Sequence, residues 1–127
     1  MPNYRIRVLS ASPDATLRSL RAAVLSQAGF LVSSPPTKSE ILLEIKQKHF
    51  DVLVLGHRWP TLAMQELAEA FKRRNPRSCV IVLTASPWSK PPVADLTVYA
   101  AEGPDAVVAA IKACVLTSDS SSQSPTV

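Results

Sequence analysis

Apolar residues come along this chain in two rhythms. Val52 to Gly56 and Cys79 to Thr84 are unbroken runs, VLVLG and CVIVLT, the first bounded by Asp51 before it and by His57-Arg58 after it. Runs of that length, rich in Val, Ile and Leu and without polar alternation, read as strands buried on both faces of a parallel sheet. Elsewhere the spacing changes to three and four. Leu17, Leu20, Val24 and Ala28 make the inward face of a helix that begins at Ser12-Pro13-Asp14, with serine as its cap, and stops at Gly29. Thr37 with Glu40 is a capping-box pattern, followed by Ile41, Leu42 and Ile45 on a helix ending near His49. Leu62, Leu67, Ala70 and Phe71 face inward from a third helix over Thr61 to Asn75, closed by Pro76. Gly103-Pro104-Asp105 opens a last helix with Val107, Ala110, Ile111 and Cys114 inward. Arg5 to Ser10, Phe30 to Val32 and a weaker Ala94 to Tyr99 supply the remaining strands.

Strands alternating with helices define an α/β fold of three layers, a doubly wound five-stranded parallel sheet with helices on both faces. One such domain accounts for residues 1–116. From Thr117 on, TSDSSSQSPTV has too little to bury and is expected to be a flexible tail over 117–127, a linker to a further domain or a C-terminus.

Composition narrows the classes. Among 127 residues, 46% are hydrophobic and 19% charged, which is a globular balance, and aromatics are only 6%, so the core is aliphatic. The net charge of +4 is moderate, and the one dense basic cluster, Lys72, Arg73, Arg74 and Arg77, falls where a helix ends and cations are favoured by the helix dipole. Nucleic-acid binding through it is a minor alternative. Cys79 and Cys114 stand far from any other metal ligand at a useful spacing and are expected as small buried thiols; a disulfide is possible but nothing indicates it. MPNYRIRVLS lacks a signal-peptide core and no apolar run reaches spanning length, so a soluble, cytoplasmic protein is expected.

In order and spacing, these pieces resemble the receiver domain of two-component response regulators, a CheY-like, flavodoxin-like module. Pro13-Asp14 after the first strand, Gly29-Phe30-Leu31-Val32 into the second, Asp51 to Leu55 before the phosphorylation site, Pro60 after it, Val82-Leu83-Thr84-Ala85 and Pro104-Asp105 all fall in place. The resemblance runs from Arg5 to about Leu116 and implies strand order 2-1-3-4-5. It also implies a chemistry: two acids holding Mg²⁺, an aspartate nucleophile, a hydroxyl, and a lysine that binds the phosphoryl oxygens.

The chain departs from that set at nearly every position. Ser10 and Ala11 stand where the acids belong, Gly56 at the nucleophile, and Ala100 or Ala101 at the lysine; Thr84 alone survives. Acceptor, charge neutralisation and oxyanion contact go together, so neither aspartyl phosphorylation nor a bound Mg²⁺ or other cofactor is expected. A second departure follows Thr84. Pro87, Pro91 and Pro92 interrupt a short connection, so the family's fourth helix is expected to be shortened or missing. Trp88 and Tyr99 then become candidate contacts on a reshaped surface.

The expected function is a degenerate receiver: a signalling module, not an enzyme, that acts on protein partners, a homodimer through the last strand and helix among them, and not on a membrane. His57, Arg58 and Trp59 form a candidate recognition loop, although Trp59 fits equally well as a cap on the core. The rival reading is a ligand-binding or enzymatic site in the vacated pocket, using Ser10, His57 and Thr84. It turns on whether that pocket is open.

Overall fold

The structure is a computed structural model and describes residues 5–123. Strands β1 (Arg7–Ala11), β2 (Leu31–Ser33), β3 (Val52–Leu55), β4 (Cys79–Thr84) and β5 (Leu96–Tyr99) form one sheet in the order β2-β1-β3-β4-β5. Every pairing is parallel, with Val8 opposite Val52, Val52 opposite Cys79 and Ile81 opposite Leu96. Helices α1 (Ala15–Gln27), α2 (Lys38–Gln47), α3 (Thr61–Arg74) and α4 (Pro104–Gln123) cover it, with a 3₁₀ turn at Ala100–Glu102. This is the doubly wound architecture expected from the pattern.

Strand alternation divides the core into two layers. Val8, Val52, Val54, Ile81, Leu83 and Val98 point to one face and meet Leu25 of α1 with Val107, Ile111 and Cys114 of α4. Leu9, Leu53, Leu55, Val80 and Val82 point to the other, against Ile41 and Ile45 of α2 and Leu67, Ala68 and Phe71 of α3. The two unalternating runs are fully buried along β3 and β4, as their composition requires.

Helix ends follow the sequence with one shift. Thr37 caps α2 by accepting the Glu40 N–H at 3.1 Å, and Gly29 leaves α1 at φ +98°. The cap of α1 is Asp14, not Ser12: its carboxylate accepts the Leu17 N–H at 2.9 Å. Ser12 is instead drawn down to the sheet edge, 1% exposed, with its carbonyl taken by Arg18 Nη1 at 3.3 Å.

Three inward assignments are corrected. Leu20 is 59% exposed and Leu62 is 79% exposed. Each lies five positions from the residue that is buried, Leu25 or Leu67, and so roughly 140° round its helix from the packed stripe. Ala28 is exposed as well, one turn past the part of α1 that meets the sheet.

The cysteines are also corrected. Cys79 at the start of β4 and Cys114 of α4 form a disulfide, with their Cα atoms 6.1 Å apart. Both side chains are buried in the same layer, so a register that looked apolar in sequence brings them within bonding reach. The last helix runs past the boundary expected at residue 116 to Gln123, because no glycine or proline interrupts the sequence before Pro125. The remainder of the expected tail, 124–127, lies outside the described residues.

No helix joins β4 to β5. Turns at Ser86–Ser89 and Pro91–Ala94 carry the chain back, closed by Ser89 N–H to Ser86 O at 3.2 Å and Ala94 N–H to Pro91 O at 3.1 Å. Val93 and Ala94 pack onto the layer under β4, closing the part of the core that a helix would have covered.

Candidate functional site

The carboxyl ends of β1 and β3 meet at the sheet edge, where such folds place their sites. Gly56 follows β3 directly, and its N–H donates to Ala11 O at 2.9 Å, so the two strand ends are locked together. By strand alternation Ser10 and Gly56 share the face covered by α1, whereas Ala11 turns to the layer of α2 and α3.

Gly56 is not there for its backbone, since its φ is not in the left-handed region. What limits the position is its neighbours. A Cβ there would stand 3.3 Å from Ser12 Oγ, 3.4 Å from Arg21 Nη1 and 3.5 Å from Ala11 O. A side chain at this position would press first on Ser12 Oγ, and the next nearest group is a guanidinium. Arg21 comes from the middle of α1, where Leu17, Val24 and Leu25 form the packed side, and reaches over the sheet edge. Burial pushes its pKa down, while the Asp14 carboxylate acts the other way. A guanidinium keeps its charge under such a shift, so a fixed cation sits where the resemblance implies acids around a divalent metal.

The surroundings agree. Arg21 Nη1, Ser10 Oγ and His57 Nδ1 are buried and have no hydrogen-bond partner in the protein. Asp14 is the nearby carboxylate, held below its usual pKa first by the Leu17 N–H and further by Arg58, the Thr16 N–H and Arg18. It is committed to capping α1. Ser10, Ala11 and Gly56 offer no carboxylate, and no cluster of three metal-ligating side chains occurs among the described residues. The residues at this edge do not fit Mg²⁺.

The other expected site residues separate. Thr84 is 4% exposed and donates to Ser86 O at 2.9 Å; by alternation it turns to the face opposite Ser10. Ala100 opens the 3₁₀ turn and lines a small cleft with Leu17, Leu83 and Val107. Ser10, His57 and Thr84 form no hydrogen-bonded set.

In the loop after β3, Trp59 is half-buried and its Nε1–H donates to Ala11 O at 3.0 Å, so it caps the sheet edge. Arg58 is exposed and His57 half-buried. Tyr99 ends β5 opposite Thr84 and is half-buried. Trp88 is 83% exposed, its backbone N–H tied to Ser86 Oγ at 3.2 Å. Of the basic cluster, Lys72 is engaged by Asp95 at 2.8 Å and Ser78 O at 2.7 Å. Arg21 is the residue that sequence reasoning missed. Its signal was a cation four positions after Leu17, on the side of the helix where an aliphatic residue was due.

The sheet order, the parallel pairing and the site at the β1–β3 edge define the flavodoxin-like class. Within it the chain has the fold of CheY-like receiver domains. A response-regulator receiver domain protein from Methanospirillum hungatei superposes with a TM-score of 0.80 at 19% identity, over 93% of this chain and 99% of the other. A chemotaxis response regulator from Vibrio cholerae gives 0.76 at 17% identity, over 87% and 99%. The regulator TrrA of Thermotoga maritima, solved in complex with the histidine kinase ThkA, gives 0.74 at 20% identity, over 87% and 98%. No family model matches the chain, and no curated protein matches it. Among the described residues no helix is long and apolar enough to cross a membrane.

Proposed function

We propose that the chain is a degenerate receiver, a signalling module that works through protein contact without aspartyl phosphorylation and without Mg²⁺. One observation carries this reading: the acceptor position is Gly56, and Arg21 Nη1 lies 3.4 Å from where its Cβ would be. A phosphoryl acceptor needs a nucleophilic oxygen and a cation held by acids. Ser10, Ala11 and Gly56 supply no carboxylate for either role, and the fixed positive charge opposes a divalent cation.

The contact surface is the loop after Thr84. Tryptophan is enriched among residues that dominate binding energy, and Trp88 is left 83% exposed on a loop anchored by prolines and turns. A protein partner is in keeping with the Thermotoga neighbour, which is solved bound to a histidine kinase.

The test is incubation with acetyl phosphate and Mg²⁺ followed by intact-mass measurement and peptide mapping. The expected result is no change in mass. A stable gain of one phosphoryl group between β1 and Pro60 overturns the proposal.

A further inference from the structure

A second surface lies on the opposite side of the molecule from the α1 face and does not depend on how the β1–β3 edge is read. Helices α2 and α3 both cover the second core layer and run parallel to each other, each returning from the carboxyl to the amino edge of the sheet. A groove of about 520 Å³ opens between them. Its apolar lining is Leu42, Leu43, Ala70 and the edge of Ile45, and Leu43 is 50% exposed. Because the helices are parallel, their C-terminal turns come together, and Lys46, Arg73 and Arg74 gather along the same groove.

The charge there is one-sided. Among the described residues no Asp or Glu lines the groove. The acids of these helices that form ion pairs are engaged elsewhere: Glu66 pairs with Lys38 at 2.7 Å, and Glu44 with Lys48 at 3.1 Å, with the Ser33 hydroxyl also donating to it. Among the described residues Lys46, Arg73 and Arg74 have no ion pair, in contrast to Lys72. Part of their charge complements the helix dipoles. That effect does not account for an exposed leucine and an apolar trough between them.

We infer that this groove receives an acidic amphipathic helix of a partner protein, with aliphatic side chains at i, i+3 and i+4 on Leu42, Leu43 and Ala70 and carboxylates against Lys46, Arg73 and Arg74. Apolar contact supplies the affinity, and the three cations select the sign and register of the partner. An anionic surface without an apolar stripe, such as duplex DNA or a lipid headgroup layer, uses the cations but leaves Leu43 unused, and this separates the possibilities.

The probe is a fluorescein-labelled synthetic helix carrying Leu at i, i+3, i+4 and i+7 with Glu on its flanks, titrated with the full chain by fluorescence anisotropy. A matched helix with Lys for Glu, a random-sequence DNA duplex and phosphatidylserine vesicles are run beside it, with sedimentation to follow self-association. The expected result is saturable binding of the acidic helix alone, weakened at least about tenfold both by Arg73→Glu with Arg74→Glu and, separately, by Leu43→Ser. Both sets of positions are exposed, so these variants should keep the wild-type circular dichroism. The inference is overturned by no binding of the acidic helix at millimolar concentration, by equal binding of the Lys helix, or by insensitivity to Leu43→Ser. Binding of DNA or vesicles in preference to the acidic helix, or self-association that Leu43→Ser abolishes, overturns it in favour of those occupants.

Discussion

Placing a carboxylate back at position 56 tests the central feature of the sheet edge. The backbone accepts any residue there, and the atoms a Cβ would meet at 3.3 and 3.4 Å are ends of side chains, Ser12 Oγ and Arg21 Nη1, that yield by a few tenths of an ångström. Gly56→Ala is therefore expected within about 1 kcal/mol of the wild type, crowding being offset by the smaller entropy of the unfolded chain. Gly56→Asp adds a charge within contact of the guanidinium. At 4 Å and an effective dielectric of 20 the attraction is about 4 kcal/mol, and desolvation of the new carboxylate removes much of it. The net change in stability is thus small, but the coupling between the two groups is not. In a double-mutant cycle of Gly56→Asp with Arg21→Gln, read from urea midpoints, the coupling is expected to be about 2–4 kcal/mol and stabilising. The same variant, treated with acetyl phosphate and Mg²⁺, is expected to stay unmodified, because Ser10 and Ala11 offer a metal no carboxylate and Arg21 lies against the new one. A coupling below about 0.5 kcal/mol would place the guanidinium away from the edge and refute the reasoning.

Three further outcomes are expected. Reducing the Cys79–Cys114 bond, which closes a loop with a sequence separation of 35, is expected to lower stability by about 3–4 kcal/mol; an unchanged urea midpoint in reducing buffer would show that the bond is not formed. Asp14 and Glu44 are both held below their ordinary pKa, chiefly by the Leu17 N–H and the Ser33 hydroxyl respectively. The folded state therefore binds these protons less readily than the unfolded chain. Their contribution is full above the ordinary carboxylate range and is lost as the pH falls through it and below. Asp14→Asn is expected to flatten that acid limb, measured by thermal unfolding against pH, and an unaltered limb would remove Asp14 from it. Finally, Trp88→Ala is expected to leave stability within about 0.5 kcal/mol of the wild type, while Val93→Ser, on the half-buried side of the same loop, costs about 1 kcal/mol or more. Equal losses would mean that Trp88 is part of the core.

The fold was legible because its strongest signals are local. Val52 to Leu55 and Cys79 to Thr84 can only be doubly buried strands, and the proline-rich stretch after Thr84 can hardly be a helix. The assignments that failed are the ones that depend on rotation or on distance. Leu20 and Leu62 are apolar and close in sequence to buried positions, but the angle at which a helix meets the sheet is set by its neighbours and is not written in the helix itself. The disulfide joins residues 35 apart and needed the register of β4 against α4 before it had any meaning. Of the site, the missing acids were plain from Ser10, Ala11 and Gly56. That a guanidinium stands beside these positions was not, since Arg21 belongs to a different element and comes to the edge only when α1 is laid on the sheet.

Arg21 and the loop after Thr84 bear on the same question from two sides. A receiver edge without its acids has lost the reason for a cation, yet this edge keeps a positive charge, now covalently fixed. On the proposed function, an exchangeable cation gives way to a side chain that neither leaves nor titrates near neutrality. The connection after Thr84 has likewise exchanged a helix for turns whose Val93 and Ala94 are anchored in the core and whose Thr84 hydroxyl is held by Ser86 O at 2.9 Å. That hydroxyl is the one group of the expected set that this chain carries, and it fixes the loop. A switch requires two arrangements of nearly equal energy and a ligand that distinguishes them. On the proposed function, with Arg21 at the edge and the hydroxyl donating within its own loop, Trp88 is expected to be presented in one arrangement. Under that proposal, recognition through this surface is governed by partner concentration and affinity.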